Sequence, residues 1–328
     1  MTYTITGGSG FIGTHLGLAL QNAGESFQII DKKPSETFPD KVTLLDILEA
    51  DHLAQCLSGE TVFHLAAVHR DDVTPPDLYH RVNVEGTANL CHAASLRGID
   101  RIIFTSSVAV YGFCDHPTDE TGAINPFNAY GRSKYAAEQV LRSWAAQSPK
   151  VRSLIIIRPT VVFGPGNRGN VYNLFRQIAL GRFVMVGCGE NRKSLAYIDN
   201  LVAFLRHAAK AGPGVHLFNY VDGPDFTMQE LVSLVRQTLH KASGVGPRLP
   251  FALGMALGHM ADAVAQVTGR SLPISALRIH KFTSNSAFTS RSHKDTDFVA
   301  AVSLHEGLRI TLQKEFLSPQ AHPVFYTE

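Results

Sequence analysis

The chain has 328 residues, of which 45% are hydrophobic and 18% are charged, the composition of a globular protein long enough for two domains or one large α/β unit. Its formal net charge is +2 and its lysines and arginines are scattered, so no nucleic-acid partner is expected. The fifteen histidines show no close metal-ligand spacing, so no metal is expected, and four widely spaced cysteines favour a reduced, cytoplasmic protein.

Short apolar runs alternate with helical patterns through the first half of the chain. Strands are predicted over 3–8, 26–31, 42–47, 61–67, 101–107 and 153–159. Helices are predicted from Ile12 to about Ala23 and over 49–57, 77–97 and 128–147. Nearly continuous β-branched runs indicate strands that are buried on both faces, as in parallel sheets covered by helices. The alternation predicts an α/β fold with a Rossmann-type doubly wound parallel sheet.

The pattern changes after about residue 165, where glycine, proline and asparagine cluster. We therefore expect a dinucleotide-binding domain over 1–165 and a smaller mixed α/β substrate-binding domain over 166–328. The segment 194–222 is expected to return to the first domain, because strands at 194–200 and 214–220 are predicted to join the main sheet.

A long apolar stretch at 249–269 could be either a membrane segment or a helix of the core. A membrane-spanning helix needs about 20 apolar residues, and here His259, Asp262 and Gln266 interrupt the run. The stretch is therefore predicted to be a buried amphipathic helix, without insertion into a membrane.

A glycine-rich loop, TGGSGFIG at 6–13, lies between the first strand and the first helix. Gly7 permits a tight turn, Gly10 lets the backbone approach a diphosphate, and Gly13 allows close packing of helix and strand. The free N–H groups and the dipole at the start of the helix favour phosphate binding. At this junction the motif predicts a bound dinucleotide.

Asp31 ends the second strand, where an acidic side chain binds the ribose 2′-hydroxyl of NAD and repels the 2′-phosphate of NADP. Lys32 and Lys33 follow directly and soften this preference, and Lys32 is counted among the cofactor-binding residues. NAD is therefore the expected cofactor, ahead of NADP. Asp46 and Ile47 follow the third strand, where the adenine is expected.

Tyr130 and Lys134 are four residues apart at the start of a predicted helix, so they lie on one helical face. A tyrosine titrates near a pH of about 10 in water, and the Lys134 ammonium beside a positively charged nicotinamide would favour its phenolate. Ser107 ends a strand at the carboxyl edge of the sheet, where such folds bind ligands. We interpret these three residues as catalytic: the serine holds the substrate oxygen, the tyrosine moves its proton, and the hydride passes to the nicotinamide.

Six motifs occur in an order and spacing that resemble a known family. They are GGSGFIG (7–13), HLAA (64–67), NVEGT (83–87), FTSSVAVYG (104–112), YGRSK (130–134) and RPTVVFGPG (158–166). Together they resemble the extended short-chain dehydrogenase/reductase family, and more narrowly its NAD-dependent nucleotide-sugar epimerase/dehydratase branch. The resemblance runs from residue 3 to about residue 200.

This resemblance implies a role for each matching position. It implies cofactor contacts at Gly7, Gly10, Phe11, Ile12, Asp31, Asp46, Ile47, Leu65, Ala66 and Ala67, and a catalytic set of Ser107, Tyr130 and Lys134. Asn83 would orient the central helices through a buried hydrogen bond. The resemblance also implies a homodimer, with helices 77–97 and 128–147 forming a four-helix bundle.

The dehydratases of this family carry an Asp-Glu pair beside the hydroxyl residue that ends the strand, whereas Val108 and Ala109 follow Ser107 here. Asp119 and Glu120 lie further along the chain and are expected to cap a turn. Dehydration is therefore disfavoured.

Two reactions on a nucleoside-diphosphate sugar remain. We favour an NAD-dependent epimerase, which oxidises sugar C4 transiently and returns the hydride to the other face; such an enzyme would serve polysaccharide biosynthesis. The alternative is an NAD(P)-dependent reductase or dehydrogenase of a 4-keto nucleotide sugar. Val161 stands where galactose-type epimerases resemble one another in having an asparagine, which puts that substrate geometry in doubt. A non-catalytic dinucleotide-binding sensor is disfavoured because the serine, tyrosine and lysine are all present.

Basic residues are the candidates for binding the substrate. By resemblance, Arg192 matches a position that offers an arginine to the nucleotide diphosphate, and an arginine fork suits phosphate oxygens. His69 and Arg70 follow the fourth strand, so they are expected near the sugar. Arg278 and Arg291 are further candidates in the C-terminal part.

Overall fold

The computed structural model describes residues 2–70, 73–114, 116–268, 275–291, 296–319 and 322–326. Within them the strands are β1 (Thr2–Thr6), β2 (Ser26–Asp31), β3 (Val42–Leu44), β4 (Thr61–His64), β5 (Arg101–Thr105), β6 (Ser153–Pro159), β7 (Val161–Phe163), β8 (Met185–Val186), β9 (Arg192–Tyr197), β10 (Gly214–Tyr220), β11 (Asp222–Thr227) and β12 (Arg248–Leu249). The helices are α1 (Phe11–Asn22), α2 (Ala50–Cys56), α3 (Leu78–His80), α4 (Gly86–Leu96), α5 (Ala129–Ala146), α6 (Asn170–Ala179), α7 (Ile198–Ala208), α8 (Met228–Thr238), α9 (Phe251–Thr268), α10 (Ala276–Thr283) and α11 (Leu304–Leu312). A π-helical segment, Arg81–Glu85, joins α3 to α4, and a 3₁₀ turn, Val108–Val110, follows β5. The predicted strands and helices of the first half agree with these bounds to within a few residues.

Seven parallel strands form the central sheet in the order β10-β6-β5-β4-β1-β2-β3. Ile5 of β1 pairs with Ile29 of β2 and Phe63 of β4, and all three side chains are fully buried. Burial on both faces explains why these strands read as nearly continuous apolar runs. The strand order reverses between β1 and β4, which opens a crevice at the carboxyl ends of the strands. The predicted doubly wound α/β fold is confirmed.

β7, β9 and β11 form a separate three-stranded sheet with β9 in the middle. Leu195 of β9 pairs with Val161 of β7 on one side and with Asp222 of β11 on the other. The prediction that 194–200 joins the main sheet is therefore wrong, and only 214–220 does so, as β10 beside β6. Because β10 takes the free edge of β6, β9 pairs with β7 and β11 instead. The helix that follows, α7, still packs against α1 beside the main sheet.

α9 covers most of the apolar stretch 249–269, but it is not buried as predicted. Its buried residues are Gly254 and Gly258. A Cβ atom at these glycines would lie 2.6 Å from the Val186 side chain and 2.8 Å from the Ala276 backbone, so this side of the helix packs closely on the protein. The large apolar side chains consequently face away from it. Within the described part of the chain, no helix has the length and apolar character needed to span a bilayer.

Candidate active site

A cleft of about 630 Å³ lies at the carboxyl edge of the central sheet. Its walls include the glycine loop, the ends of β2 and β4, the turn after β5 and the start of α5. It is lined by every residue that the sequence assigned to the cofactor or to catalysis: Gly7, Gly10, Phe11, Ile12, Gly13, Asp31, Lys32, Asp46, Ile47, Leu65, Ala66, Ala67, Ser107, Tyr130 and Lys134. The structure thus brings these positions together in one place.

The glycine loop is shaped by contacts that leave no room for side chains. Gly7 has a φ of +74°, and a Cβ atom there would lie 2.5 Å from the backbone nitrogen of Ala66. A Cβ atom at Gly13 would lie 2.5 Å from the Cα of Gly8. Gly10 precedes α1 without a side chain that caps the helix. The first turn of α1 therefore presents its N–H donors and the positive end of its dipole to the cleft, which fits a dinucleotide diphosphate.

The carboxylate of Asp31 is fixed at the end of β2 by two backbone donors. Its Oδ2 accepts the N–H of Ser9 at 3.0 Å, and its Oδ1 accepts the N–H of Lys33 at 3.0 Å. The hydroxyl of Ser9 donates to the carbonyl of Lys33 at 2.9 Å, which ties the glycine loop to the strand end. A fixed carboxylate on this wall fits the ribose hydroxyls of NAD and disfavours a 2′-phosphate.

The far end of the cleft has an apolar wall at Ile47, which is 4% exposed. A Cβ atom at Gly86 would lie 2.5 Å from the Cδ1 of Ile47, so this side chain packs directly against the start of α4. Asp46 turns back on its own chain, where its Oδ1 accepts the N–H of Leu48 at 3.1 Å. An apolar wall beside a polar turn suits the adenine that the sequence placed here.

One compact junction places the serine and the tyrosine. Asn128 caps α5, because its Oδ1 accepts the N–H of Gly131 at 2.8 Å. A Cβ atom at Gly131 would lie 2.5 Å from the carbonyl oxygen of Ala109, so α5 begins against the turn that follows β5. In that turn the Oγ of Ser107 accepts the N–H of Ala109 at 3.1 Å. Tyr130 therefore starts its helix next to Ser107.

Lys134 is almost fully buried, with 2% of its surface exposed. Its Nζ lies 4.2 Å from the centre of the Phe104 ring. Burial lowers the pKa of Lys134 to about 7, although the carboxylate of Glu138 acts in the opposite direction. An amine that titrates near neutrality can hold or release a proton beside the phenol at physiological pH.

His64 places a neutral ring close to Lys134. Burial, together with the charge of Lys134, lowers the pKa of His64 to about 3. The hydroxyl of Thr87 donates to the carbonyl of Asn83 at 2.6 Å, so it accepts from His64 Nε2 at 2.9 Å. The Nδ1 of the ring then accepts from the hydroxyl of Thr6 at 2.7 Å. These bonds assign the Nε2–H tautomer, which adds no positive charge beside the lysine.

The buried hydrogen bond predicted for Asn83 is present, and its role in orienting the central helices stays a prediction. Asn83 lies in the π-helical segment, and its Oδ1 accepts the N–H of Val68 at 2.7 Å. Its Nδ2 donates to the carbonyl of Val68 at 2.9 Å and to the hydroxyl of Ser133 at 2.8 Å. This amide joins the end of β4 to α5 beside Lys134, within the protein and away from the solvent.

A buried ion pair behind the candidate catalytic residues was not predicted. Arg158 of β6 donates from Nε to Glu138 Oε1 at 2.8 Å and from Nη2 to Oε2 at 2.5 Å. The hydroxyl of Ser106 donates to the same carboxylate at 2.5 Å. Burial opposes the charge of Arg158, but the hydrogen bonds and charge of Glu138 keep the arginine pKa above its ordinary value. The pair links the residue before Ser107 to the helix of Lys134. The one sequence feature that could have pointed to Glu138 is its position four residues after Lys134, on the same side of the helix.

The two acids that were expected to cap a turn have different partners. The Oδ1 of Asp119 accepts the N–H of Thr121 at 2.9 Å and its hydroxyl at 2.6 Å, which confirms the cap. Glu120 instead accepts the N–H of Asn219 at 2.7 Å and the hydroxyl of Ser290 at 2.6 Å. Neither acid lines the cleft, in agreement with the absence of a dehydratase pair.

Most of the basic residues predicted to bind the substrate lie outside the cleft. His69 lines the cleft. The others do not: Arg70, Arg192, Arg278 and Arg291. Arg192 donates from Nη1 to the carbonyl of Asp225 at 3.2 Å, and Arg291 lies 3.5 Å from the carboxylate of Asp119. Their part in substrate binding stays a prediction.

The C-terminal segment 322–326 contributes residues 323–326 to the cleft wall, which the sequence did not indicate. The N–H of Phe325 donates to the carbonyl of Gly166 at 2.8 Å, and its carbonyl accepts the N–H of Arg168 at 2.8 Å. The ring of Phe325 lies 5.8 Å from that of Phe11, centre to centre. The segment thus closes the cleft beside the glycine loop.

Comparisons with known proteins agree with the fold and with the expected cofactor. The model of the NAD dependent epimerase/dehydratase family matches residues 3–219. The chain is 46% identical over 317 residues to the N-acetyl-alpha-D-glucosaminyl-diphospho-ditrans,octacis-undecaprenol 4-epimerase of Escherichia coli O157:H7, covering 95% of each chain. It is 32% identical to the UDP-glucose 4-epimerase of Vibrio cholerae over 72% of this chain and 75% of that protein. The solved structure of MoeE5 in complex with UDP-glucose and NAD is 25% identical and covers 98% of this chain and 100% of its own, with a TM-score of 0.77.

These matches confirm two predictions made from the sequence. NAD is the cofactor. The enzyme is an NAD-dependent epimerase, the reaction that the sequence favoured, and the two epimerases above are named for sugars carried on a diphosphate.

Proposed function

Because the chain belongs to the NAD-dependent epimerase/dehydratase family, we propose that it is a 4-epimerase of N-acetylglucosamine carried on a polyprenyl diphosphate. The observation that carries this proposal is the 46% identity, over 95% of both chains, to a relative whose name states that substrate. A UDP-hexose is the second candidate, favoured by the 32% identity to the UDP-glucose 4-epimerase of Vibrio cholerae. Both substrates present a hexose on a diphosphate, so one set of catalytic residues serves either.

Different residues of the cleft would bind the cofactor and transfer the proton. The glycine loop and Asp31 would hold the diphosphate and ribose of NAD. Bound there, NAD would supply the hydride acceptor for sugar C4 and the hydride donor to the opposite face of the resulting ketone. Tyr130 takes the proton of the 4-hydroxyl during oxidation and gives it back on reduction, while Ser107 hydrogen-bonds the same oxygen. Lys134 supports the phenolate through its charge.

The test uses the purified full-length chain without added nucleotide. It is incubated with a short-chain polyprenyl-diphospho-N-acetylglucosamine and, separately, with UDP-N-acetylglucosamine and UDP-glucose, and the sugar is followed by NMR. A new C4 epimer on the polyprenyl substrate, with no comparable turnover of the UDP-sugars, is the expected result. Turnover of UDP-sugars alone would overturn the lipid-linked substrate and leave a nucleotide-sugar epimerase.

We also propose a cytoplasmic location and a homodimeric assembly. The free state of Cys56, Cys91, Cys114 and Cys188 agrees with a reduced, cytoplasmic location. A homodimer through α4 and α5 is proposed from the family resemblance. Sedimentation equilibrium checks it, because a single species at the monomer mass would contradict it.

A further inference from the structure

The outward side of α9 is a continuous apolar stripe. We call this stripe, made of Leu253, Leu257, Met260, Val264 and Val267, the α9 face. Its members follow one another at intervals of three and four residues, which places them on one side of the helix. Their exposed fractions range from 42% at Leu257 to 88% at Val267. A contiguous exposed apolar surface of this kind marks an interaction site.

The α9 face is not used to pack the protein, because the opposite side of the helix does that. Gly254 and Gly258 bring the helix backbone onto Val186 and Ala276. Asp262 is drawn to the same side, where its Oδ2 accepts the N–H of Ala276 at 3.1 Å. The one acid of the helix is thereby turned toward α10 and away from the stripe.

The helix that packs beside α9 is basic. α10 carries Arg278, His280 and Lys281 and no acidic residue. An exposed apolar helix face with a basic helix packed beside it matches a bilayer surface with anionic head groups.

Aromatic contacts connect this surface to the active site. The ring of His280 lies 5.0 Å from that of Phe113, which stacks on Phe127 at 4.5 Å. Phe113 and Phe127 are 41% and 39% exposed, so they place further exposed apolar side chains beside α10. Phe127 directly precedes Asn128, which caps the helix of Tyr130. Contacts therefore lead from α10 to the helix that carries Tyr130.

We propose that the α9 face binds the surface of a phospholipid bilayer with anionic head groups, without crossing it, and so holds the cleft beside a membrane-embedded substrate. The inference rests on the proposed function, because only a lipid-linked sugar has to be collected from a bilayer. α9 does not have the length and apolar character needed to cross a bilayer, so the proposed contact is with the bilayer surface.

The test compares binding of the full chain to vesicles of phosphatidylglycerol and phosphatidylcholine by flotation. Met260 and Val264, 56% and 50% exposed, are changed together in M260S/V264S. The matched control is V151S/V299S, which removes two apolar side chains that are 56% and 84% exposed elsewhere. We expect wild type and control to float equally. M260S/V264S should bind the vesicles at least about tenfold more weakly, the order expected for the loss of two apolar side chains. Equal flotation of all three proteins, or no flotation of wild type, would overturn the proposal.

Two further measurements separate the alternatives. If M260S/V264S breaks an oligomer in sedimentation equilibrium while no protein floats, the α9 face binds a second copy of the chain and the proposal is wrong. Turnover of the short-chain polyprenyl substrate in the absence of vesicles tests the proposed function alone, and M260S/V264S should keep it in full. If wild type does not turn over the short-chain polyprenyl substrate, the proposed substrate is wrong. If wild type turns it over but M260S/V264S floats as well as wild type, only the proposed membrane contact is wrong.

Discussion

Tyr130 is the residue that separates the proposed chemistry from simple dinucleotide binding. Tyr130→Phe keeps the ring in the cleft and removes the hydroxyl that moves the proton, so kcat/KM should fall by about 10²- to 10⁴-fold. The NAD content of the purified protein, measured by absorbance after denaturation, should not change. Tyr135→Phe, on the same helix but away from the cleft, is the control and should keep full activity. Full turnover by Tyr130→Phe would remove the residue from the mechanism.

Lys134 makes the stability of the NAD-free protein depend on pH. Its pKa is about 7 in the folded chain against 10.5 for an unperturbed lysine. Between these values the unfolded state binds more protons, so the cost of burying the lysine is complete below about pH 7 and shrinks as the pH rises toward 10.5. Lys134→Met removes this cost, so its gain in Tm over wild type should be largest at about pH 6 and smaller at about pH 9.5.

The control for this experiment is Lys150→Met, at an exposed lysine, whose Tm difference from wild type should stay constant over the same range. A gain from Lys134→Met that grows with pH would contradict the assigned direction of the pKa. Activity is read separately, because the same variant should lose turnover through the missing ammonium.

The residues that meet in the cleft could be predicted individually because each is marked by a local pattern. Gly7 and its neighbours sit at a strand–helix junction, Asp31 ends a strand, and Tyr130 and Lys134 share one turn of helix spacing. Arg158 carries no such mark, because its partner Glu138 lies 20 residues away on another element. Its pairing depends on how β6 stacks beside α5, which local sequence does not determine.

Helices and strands could be predicted from the periodicity of their own residues. The wrong predictions concern how these elements pair and pack with one another. β9 has the apolar pattern of a strand, but the choice between the main sheet and β7 depends on which edge β10 has already taken. α9 has the pattern of a helix, but which side packs depends on Gly254 and Gly258. Apolar side chains alone therefore indicated burial where two glycines provide the contact.

The junction between α5 and the turn after β5 gives a prediction at the scale of an element. A Cβ atom at Gly131 would lie 2.5 Å from the carbonyl of Ala109, whereas one at Gly212 would meet nothing within 4 Å. Gly131→Ala should therefore move the start of α5 away from Ser107, lower kcat and reduce the free energy of unfolding by about 1–3 kcal/mol. Urea titration and steady-state kinetics check both effects. Gly212→Ala should change neither, and a Gly131→Ala enzyme as stable and active as this control would show that the junction tolerates the methyl group.

At the scale of the whole molecule, the two ends of the chain meet across the cofactor cleft. Glu315 anchors the C-terminal segment to the loop after β7, where it accepts the N–H of Gly166 at 2.6 Å and pairs with Arg168 at 2.7 Å. Burial acts against the charge of Glu315, but these partners and His322 hold its pKa below the usual range. Phe325 is thereby held against Phe11 of the glycine loop. No local pattern in the sequence relates residues so far apart, so this closure emerged only from the structure.

The closure gives a prediction about the cofactor. An epimerase that returns its hydride to the same sugar has to keep NAD through the whole cycle, and Phe325 lines the cleft beside the loop that is proposed to bind the diphosphate. Phe325→Ala removes the aromatic contact with Phe11, so NAD should leave about tenfold faster, the order expected for a contact worth about 1.5 kcal/mol. Release is followed by the NAD that remains on the protein after timed gel filtration. Phe251→Ala, a half-exposed aromatic outside the cleft, should release NAD at the wild-type rate. Equal release from both variants would mean that the C-terminal segment borders the cofactor without retaining it.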